Sequence, residues 1–413
     1  MGLVRPALAA LAAGDWLTPQ RRRNYALILI LAFGLALVAL LATERGGLDL
    51  AGRPIGTDFS DVWSAGRLAL QGRAAAAYDP PAQYAVQQAA FHRSNVPFYA
   101  WLYPPWFLLA AAALALLPYL VAVLAWQALG LGLYVRAMRA IAPGRETTLL
   151  ALAFTGVFLN LIHGQNGLLS AALIGGALFL LDKRPLAAGG LLGLLAYKPQ
   201  LGLFAPLVLA ASGRWRAFAA ASLVVAVLAL AATSVFGWGI WPAFVAGFPY
   251  TRHEVLEQGG TGFYKMQSLF AAVRLWGGSV AAAYGAQAAL TLAGGALLVW
   301  LWRGRADQRL KSSALISASL LASPYCMDYD LMLLAPAGAF LVSWMRERGA
   351  PPFAAAILTL AFAAPVSTRG VDHAIGAPLG LMATLSMFGL ALLAERSALL
   401  SAWAPRLLRA RPA

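Results

Sequence analysis

Charge is what this 413-residue sequence has least of: 11% of its residues are Asp, Glu, Lys or Arg, and only 16 are acidic. Soluble domains carry roughly a quarter charged residues. With 61% hydrophobic residues and a mean hydropathy of +0.71, the bulk of this chain belongs in lipid. Cysteine is nearly absent too, and the single Cys326 excludes an intramolecular disulfide and a cysteine-based zinc site. Four scattered histidines offer no metal cluster. Neither a Gly-rich phosphate loop nor a dinucleotide fingerprint is present, which argues against nucleotide binding. Strand-period alternation is missing, so a β-barrel is excluded, and no repeat of solenoid period stands out.

What is there is a series of apolar runs ended by Arg, Lys, Gly or Pro, suited to helices that cross a hydrocarbon core about 30 Å thick. They place spans near 25–44, 119–140, 147–164, 167–181, 185–199, 200–212, 216–236, 279–302, 312–326, 330–345, 351–366 and 376–394. The fold class is an all-α integral membrane bundle of about twelve helices in one polytopic domain over residues 1–413. Arg21, Arg22 and Arg23 ahead of Tyr25–Thr43 superficially resemble a secretory signal, but the run is of span length without a clear cleavage site, so it reads as a retained first helix. Stretches 104–117 and 266–276 are too short to cross and read as interfacial or dipping helices.

The net charge of +15 invites a nucleic-acid reading, but the spans sort the cations. On one side fall Arg5, Arg21–Arg23, Arg136, Arg139, Arg145, Lys183, Arg184, Arg214, Arg216, Arg303, Arg305, Arg309, Lys311, Arg346, Arg348, Arg396, Arg406, Arg409 and Arg411. These are 21 of the 31 basic residues, so this side is cytoplasmic and no nucleic-acid partner is implied. Both termini are then cytoplasmic. The outer side keeps 10 of the 16 acids and two long loops, 45–103 and 237–265. Two helices are expected in the first loop, at 58–71 and 81–94.

The first loop contains "GTDFSDVW", which sets Asp58 and Asp61 at i and i+3, on one side of a helix. The pair fits either a general base beside the membrane or simple helix capping, since acids at a helix start favour the dipole and its free N–H groups. "YAWLYPPW" marks a membrane entry, with Trp101 and Trp106 in the interfacial belt. In "NLIHGQNG", His163, Gln165 and Asn166 face the same compartment, where polar groups line a cavity or form only a turn. "LLAYKPQL" puts Lys198 at an outer span end, either turned into a shared cavity or snorkelling to the interface. "PYTRHEVLEQGGTGFYKMQS" supplies Arg252, His253, Lys265 and Gln267, and "SPYCMDYD" supplies Asp328 and Asp330. Cations there either hold a phosphate or are solvated loop charges.

Taken in order, "DFSDVWSAGRLALQG", "YDP", "YPP", "HGQNG", "YKPQ" and "GRWR" resemble glycosyltransferase family 87, the polyprenol-phosphate-mannose-dependent mannosyltransferase-like members of the multi-span GT-C superfamily. The resemblance runs from about Asp58 to Asp330 and implies a GT-C-type bundle in the plasma membrane acting on its outer face. It implies a polyprenyl-phosphate-linked sugar as donor, a lipid or glycan acceptor, membrane lipids as surroundings and no cofactor. It carries the family's loop acid onto Asp58, as base for the acceptor hydroxyl, with inversion and departure of the lipid phosphate. Asp61 either positions Asp58, binds sugar hydroxyls or caps the helix. His163, Gln165, Asn166, Lys198, Arg252, Lys265, Gln267 and Asp328 complete the expected substrate site. The alternatives are a transporter or lipid flippase, which usually keeps ionisable groups at mid-span, and an inactive scaffold subunit.

Overall fold

The computed structural model describes residues 4–409, with side chains over residues 7–395. The inner-side cations Arg5, Arg396, Arg406, Arg409 and Arg411 lie outside those described side chains. Among the described residues the secondary structure is helical, with three isolated bridges and no strand, and the fold is all-α and polytopic.

Helix α1 (Val4–Ala13) precedes α2 (Pro19–Ala42), the first span. Thr18 caps α2 by accepting the Arg21 N–H at 3.2 Å, and Pro19 takes the first helical position, where no amide donor is needed. The long loop carries α3 (Phe59–Leu70) and α4 (Pro80–Phe91), close to the expected helices. Stretch 104–117 contracts to α5 (Phe107–Leu114). After α6 (Tyr119–Ile141), the expected span 147–164 is broken: α7 (Arg145–Ala153) and α8 (Thr155–His163) meet at 49°. Next come α9 (Gly167–Leu180), α10 (Pro185–Leu194), 3₁₀ turns at Leu195–Tyr197 and Pro199–Gly202, and α11 (Ala205–Ala211).

The long α12 (Trp215–Phe236) leads into the second large loop, with α13 (Ile240–Ala246), α14 (Phe248–Tyr250), a π-helical turn at Thr251–Glu257 and α15 (Leu269–Leu275). The chain ends in α16 (Val280–Arg303), α17 (Gln308–Ala322), a 3₁₀ segment at Asp328–Leu333, α18 (Leu334–Arg348), α19 (Ala354–Ile375) and α20 (Leu379–Arg409).

Among the described residues five helices, α2, α6, α12, α16 and α19, are long and apolar enough to cross a membrane alone, or six if the bent α7–α8 pair is one span. The spans expected at 167–181, 185–199, 200–212, 312–326 and 330–345 are shorter or interrupted helices, and the one at 376–394 falls on the first part of α20. Irregular backbone is tolerated at membrane depth only where protein buries it or a cavity is lined. Here the breaks converge: Lys198 of the 3₁₀ junction, Asp330 of the 3₁₀ segment and Asn166 ahead of α9 are all buried within the bundle.

The two ends of the bundle are distinguished by the side chains that meet there. At one end Gln165 reaches Asp58, Lys198 reaches Asp330, Arg369 reaches Asp328 and Gln267 reaches Asp372. At the other, Arg22 pairs with Glu146, Arg214 with Asp182 and Arg309 with Glu347. The groups expected on the outer and inner sides therefore collect at opposite ends of one bundle.

Candidate active site

The Asp58 turn sits directly on the Gly164 turn. Both glycines at the contact, Gly56 (φ +70°) and Gly164 (φ +62°), adopt the left-handed backbone that side chains disfavour. A Cβ on Gly164 would lie 2.6 Å from Phe59 Cβ and 2.7 Å from the Gly56 carbonyl oxygen, so only glycine lets the two chains approach. Polar contacts then lock the seat. The Asp58 N–H donates to the His163 carbonyl at 3.2 Å, and Thr57 Oγ1 lies 2.8 Å from His163 Nδ1. Gln165 Nε2 donates to Asp58 Oδ2 at 2.8 Å.

Asp58 stands at the N-cap of α3, yet its carboxylate makes no capping hydrogen bond. The N–H groups of Phe59, Ser60 and Asp61 go instead to the carbonyls of Gly56, Thr57 and Asp58. Capping does not account for this acid. Burial raises the Asp58 pKa above the usual carboxylate value, opposed by the Gln165 hydrogen bond and the charges of Lys198, Arg369 and Lys265. One turn on, Asp61 is buried and its Oδ1 has no hydrogen-bond partner among the described residues. Burial first, and then the neighbouring Asp58 charge, push the Asp61 carboxyl well above its usual range.

Beside these acids lie two ion pairs. Lys198 Nζ donates to Asp330 Oδ1 at 2.8 Å, both side chains being almost wholly buried, and the ammonium stands 5.1 Å from the Tyr329 ring centre. Arg369 donates through Nε and Nη2 to Asp328 Oδ2, at 2.7 and 2.6 Å. Asn166 donates from Nδ2 to the Tyr103 hydroxyl at 2.7 Å and keeps a buried, unpartnered Oδ1. Lys265 is half-buried and forms no ion pair among the described residues, its ammonium lying 5.8 Å from the Tyr264 ring centre.

Not every expected residue joins this group. Arg252 sits on the π-helical turn, pairs with Glu257 at 2.7 Å and is 71% exposed. That turn spends its cation on a local carboxylate. Gln267 is buried against Thr368, Asp372 and the Gly380 N–H, where it ties α19 to α20. Two partners escaped the sequence reading: Arg369, a lone cation after the expected 351–366 span, and Asp330 as the partner of Lys198. The only signal for Arg369 was an arginine among apolar residues at an outer span end, without any sign of its partner.

A buried carboxylate, buried unpartnered oxygens and several cations therefore meet at the end of a helical bundle, an arrangement that can activate a hydroxyl and hold an anion. The model of glycosyltransferase family 87 matches residues 101–324. The chain belongs to glycosyltransferase family 87. No curated protein and no solved structure is similar enough to match. As a family 87 protein it is a membrane glycosyltransferase, and its transfer reaction needs a sugar donor and an acceptor. The matched stretch holds His163, Gln165, Asn166, Lys198 and Lys265, whereas Asp58 and Arg369 come from outside it.

Proposed function

We propose that this glycosyltransferase moves a hexose, mannose by family resemblance, from a polyprenyl phosphate carrier to the hydroxyl of a lipid or glycan acceptor, outside the cytoplasmic membrane. Asp58 is the base. The observation that carries this reading is the Asp58 carboxylate itself, which leaves its own helix uncapped and is turned to Gln165 beside a group of cations.

In the proposed step the acceptor proton passes to an Asp58 carboxylate oxygen as the acceptor oxygen bonds to the sugar C1. The bond from C1 to the phosphate oxygen breaks with inversion, and its electron pair leaves on the polyprenyl phosphate. The developing negative charge needs a cation that is not already neutralised. Lys198 and Arg369 each face a carboxylate, so Lys265 is assigned to the departing phosphate. The unpartnered Asp61 Oδ1 and Asn166 Oδ1 suit sugar hydroxyl donors, because buried acceptors rarely stay unpaired. Arg252 is left out of the proposed site. The polar groups gather at one end of the bundle, whereas a carrier needs its site at the midplane, which favours transfer over transport.

The decisive experiment is transfer by the reconstituted protein from polyprenyl-phosphate mannose, with Asp58→Asn as control. Loss of about 10²- to 10⁴-fold in rate is expected for a removed general base. Full activity in the Asn variant overturns the mechanism, and activity only with other polyprenyl-linked sugars overturns mannose alone.

A further inference from the structure

At the end opposite Asp58 a space opens between α1 with its following turn, α2, α6, α7, α18 and α19, with a volume of about 860 Å³. It shares no lining residue with the candidate active site. Its size falls within the range of pockets that enclose small organic ligands, roughly 300–1,000 Å³. Small residues create it. On α18, Ala335, Gly338 and Ala339 face the space, and on α19 Ala354 and Ala355 do, where larger side chains would fill it. α2 packs mainly against α7, and Leu29 of α2 and Leu358 of α19 both line the space. α2 is almost entirely unburied along its length, so the cleft lies beside the bilayer.

The mouth of this apolar space is basic. Arg22 on α2 bonds Glu146 at 2.8 Å, and Arg346 at the end of α18 donates to the Pro143 carbonyl at 3.0 Å. Arg346 is exposed and has no carboxylate partner among the described residues. Arg21 and Arg23 in the first two turns of α2, Arg139 in the last turn of α6 and Arg145 opening α7 stand at the same end, against Asp15 and Glu146. The basic excess is the one the sequence assigns to the cytoplasmic side, where anionic headgroups are enriched and basic pockets between spans bind them.

We propose that the cleft is a binding site for an anionic glycerophospholipid of the cytoplasmic leaflet. An acyl chain enters between α2 and α19, and the phosphate meets the guanidinium of Arg346, which faces no carboxylate among the described residues. The lipid completes the packing that the alanines and Gly338 leave open, and so holds the peripheral α2 to the bundle. This site is independent of the sugar-transfer reading and survives its failure.

The test uses the full chain purified in detergent, titrated with dioleoyl phosphatidylglycerol or dioleoyl phosphatidylcholine while the thermal midpoint and native mass spectrum are recorded. Phosphatidylglycerol should raise the midpoint and remain bound, and phosphatidylcholine should do neither. Arg346→Gln, at an exposed helix end, should weaken phosphatidylglycerol binding about fivefold, the effect of one basic residue at a charged lipid surface. Ala339→Phe should remove the lipid-dependent shift by filling the cleft. An equal response to both lipids, or an Arg346→Gln variant that binds like the parent, overturns the headgroup assignment even if Ala339→Phe fails to fold. An unchanged lipid shift in a folded Ala339→Phe protein overturns the cleft.

Discussion

A carboxylate acts as a base only when ionised, and Asp58 is harder to ionise than a free aspartate because it is buried. In the proposed mechanism transfer stops below its raised pKa, where the group is protonated, and proceeds above it, where the carboxylate is free to accept the proton. The acid limb of kcat/KM should therefore fall at a higher pH than the usual carboxylate value of 3.8, and a pH profile of the reconstituted enzyme checks this. Gln165→Ala removes a hydrogen bond to the ionised form and should move that limb higher still. Lys198 poses a different residue problem. Removing one partner of a buried ion pair strands a charge at a cost of about 3–5 kcal/mol. Lys198→Met should thus sharply lower the thermal midpoint, and Lys198→Met with Asp330→Leu should recover part of it, whereas a purely substrate-binding lysine would show neither effect.

At the scale of elements, the seat between the 56–59 turn and the 163–166 turn matters more than either helix it joins. Gly164→Ala forces a Cβ against the Gly56 carbonyl and Phe59. The expected result is loss of most transfer activity with helix content retained, read by activity assay and circular dichroism. The long apolar helices were legible in the sequence because span composition is a local signal. α2, α6, α12 and α16 fall close to where the apolar runs place them, whereas α19 continues past the expected end at 366 to Ile375 and takes in Arg369 and Asp372. The 3₁₀ breaks at Leu195–Gly202 and Asp328–Leu333 were not, because what stabilises them is the contact between them, Lys198 on Asp330, across 132 residues. Arg369 was hidden for the same reason, its partner Asp328 lying 41 residues away. Asp58, Gln165, Asn166 and Lys198 stand out in the sequence because polar groups in so apolar a chain are few enough to weigh singly. Arg252 met the same criterion, but a local partner, Glu257, holds it on the surface.

For the whole molecule, the segregation of polar groups to opposite ends makes orientation testable. Arg252→Cys should react with a membrane-impermeant maleimide in intact cells, and Arg23→Cys only after permeabilisation. The native Cys326 is buried and adds little background. The reverse labelling pattern would turn the protein over and place the Asp58 end in the cytoplasm.

The interrupted helices also bear on the bilayer. The segments Pro185–Tyr197 and Pro199–Ala211 each have 13 residues, about 20 Å of helix at 1.5 Å per residue, against a hydrocarbon core of about 30 Å. They present Leu186, Leu194, Leu203 and Leu207 to their surroundings. Lipid beside that wall meets a hydrophobic mismatch, and the cheapest accommodation is a local dimple of the leaflet. A dimple on that flank lowers the headgroup plane toward the candidate active site, so the proposed lipid-borne donor phosphate has less apolar depth to cross. Activity should then climb as the acyl chains of the reconstituting lipid shorten, making membrane thickness itself a control on the rate.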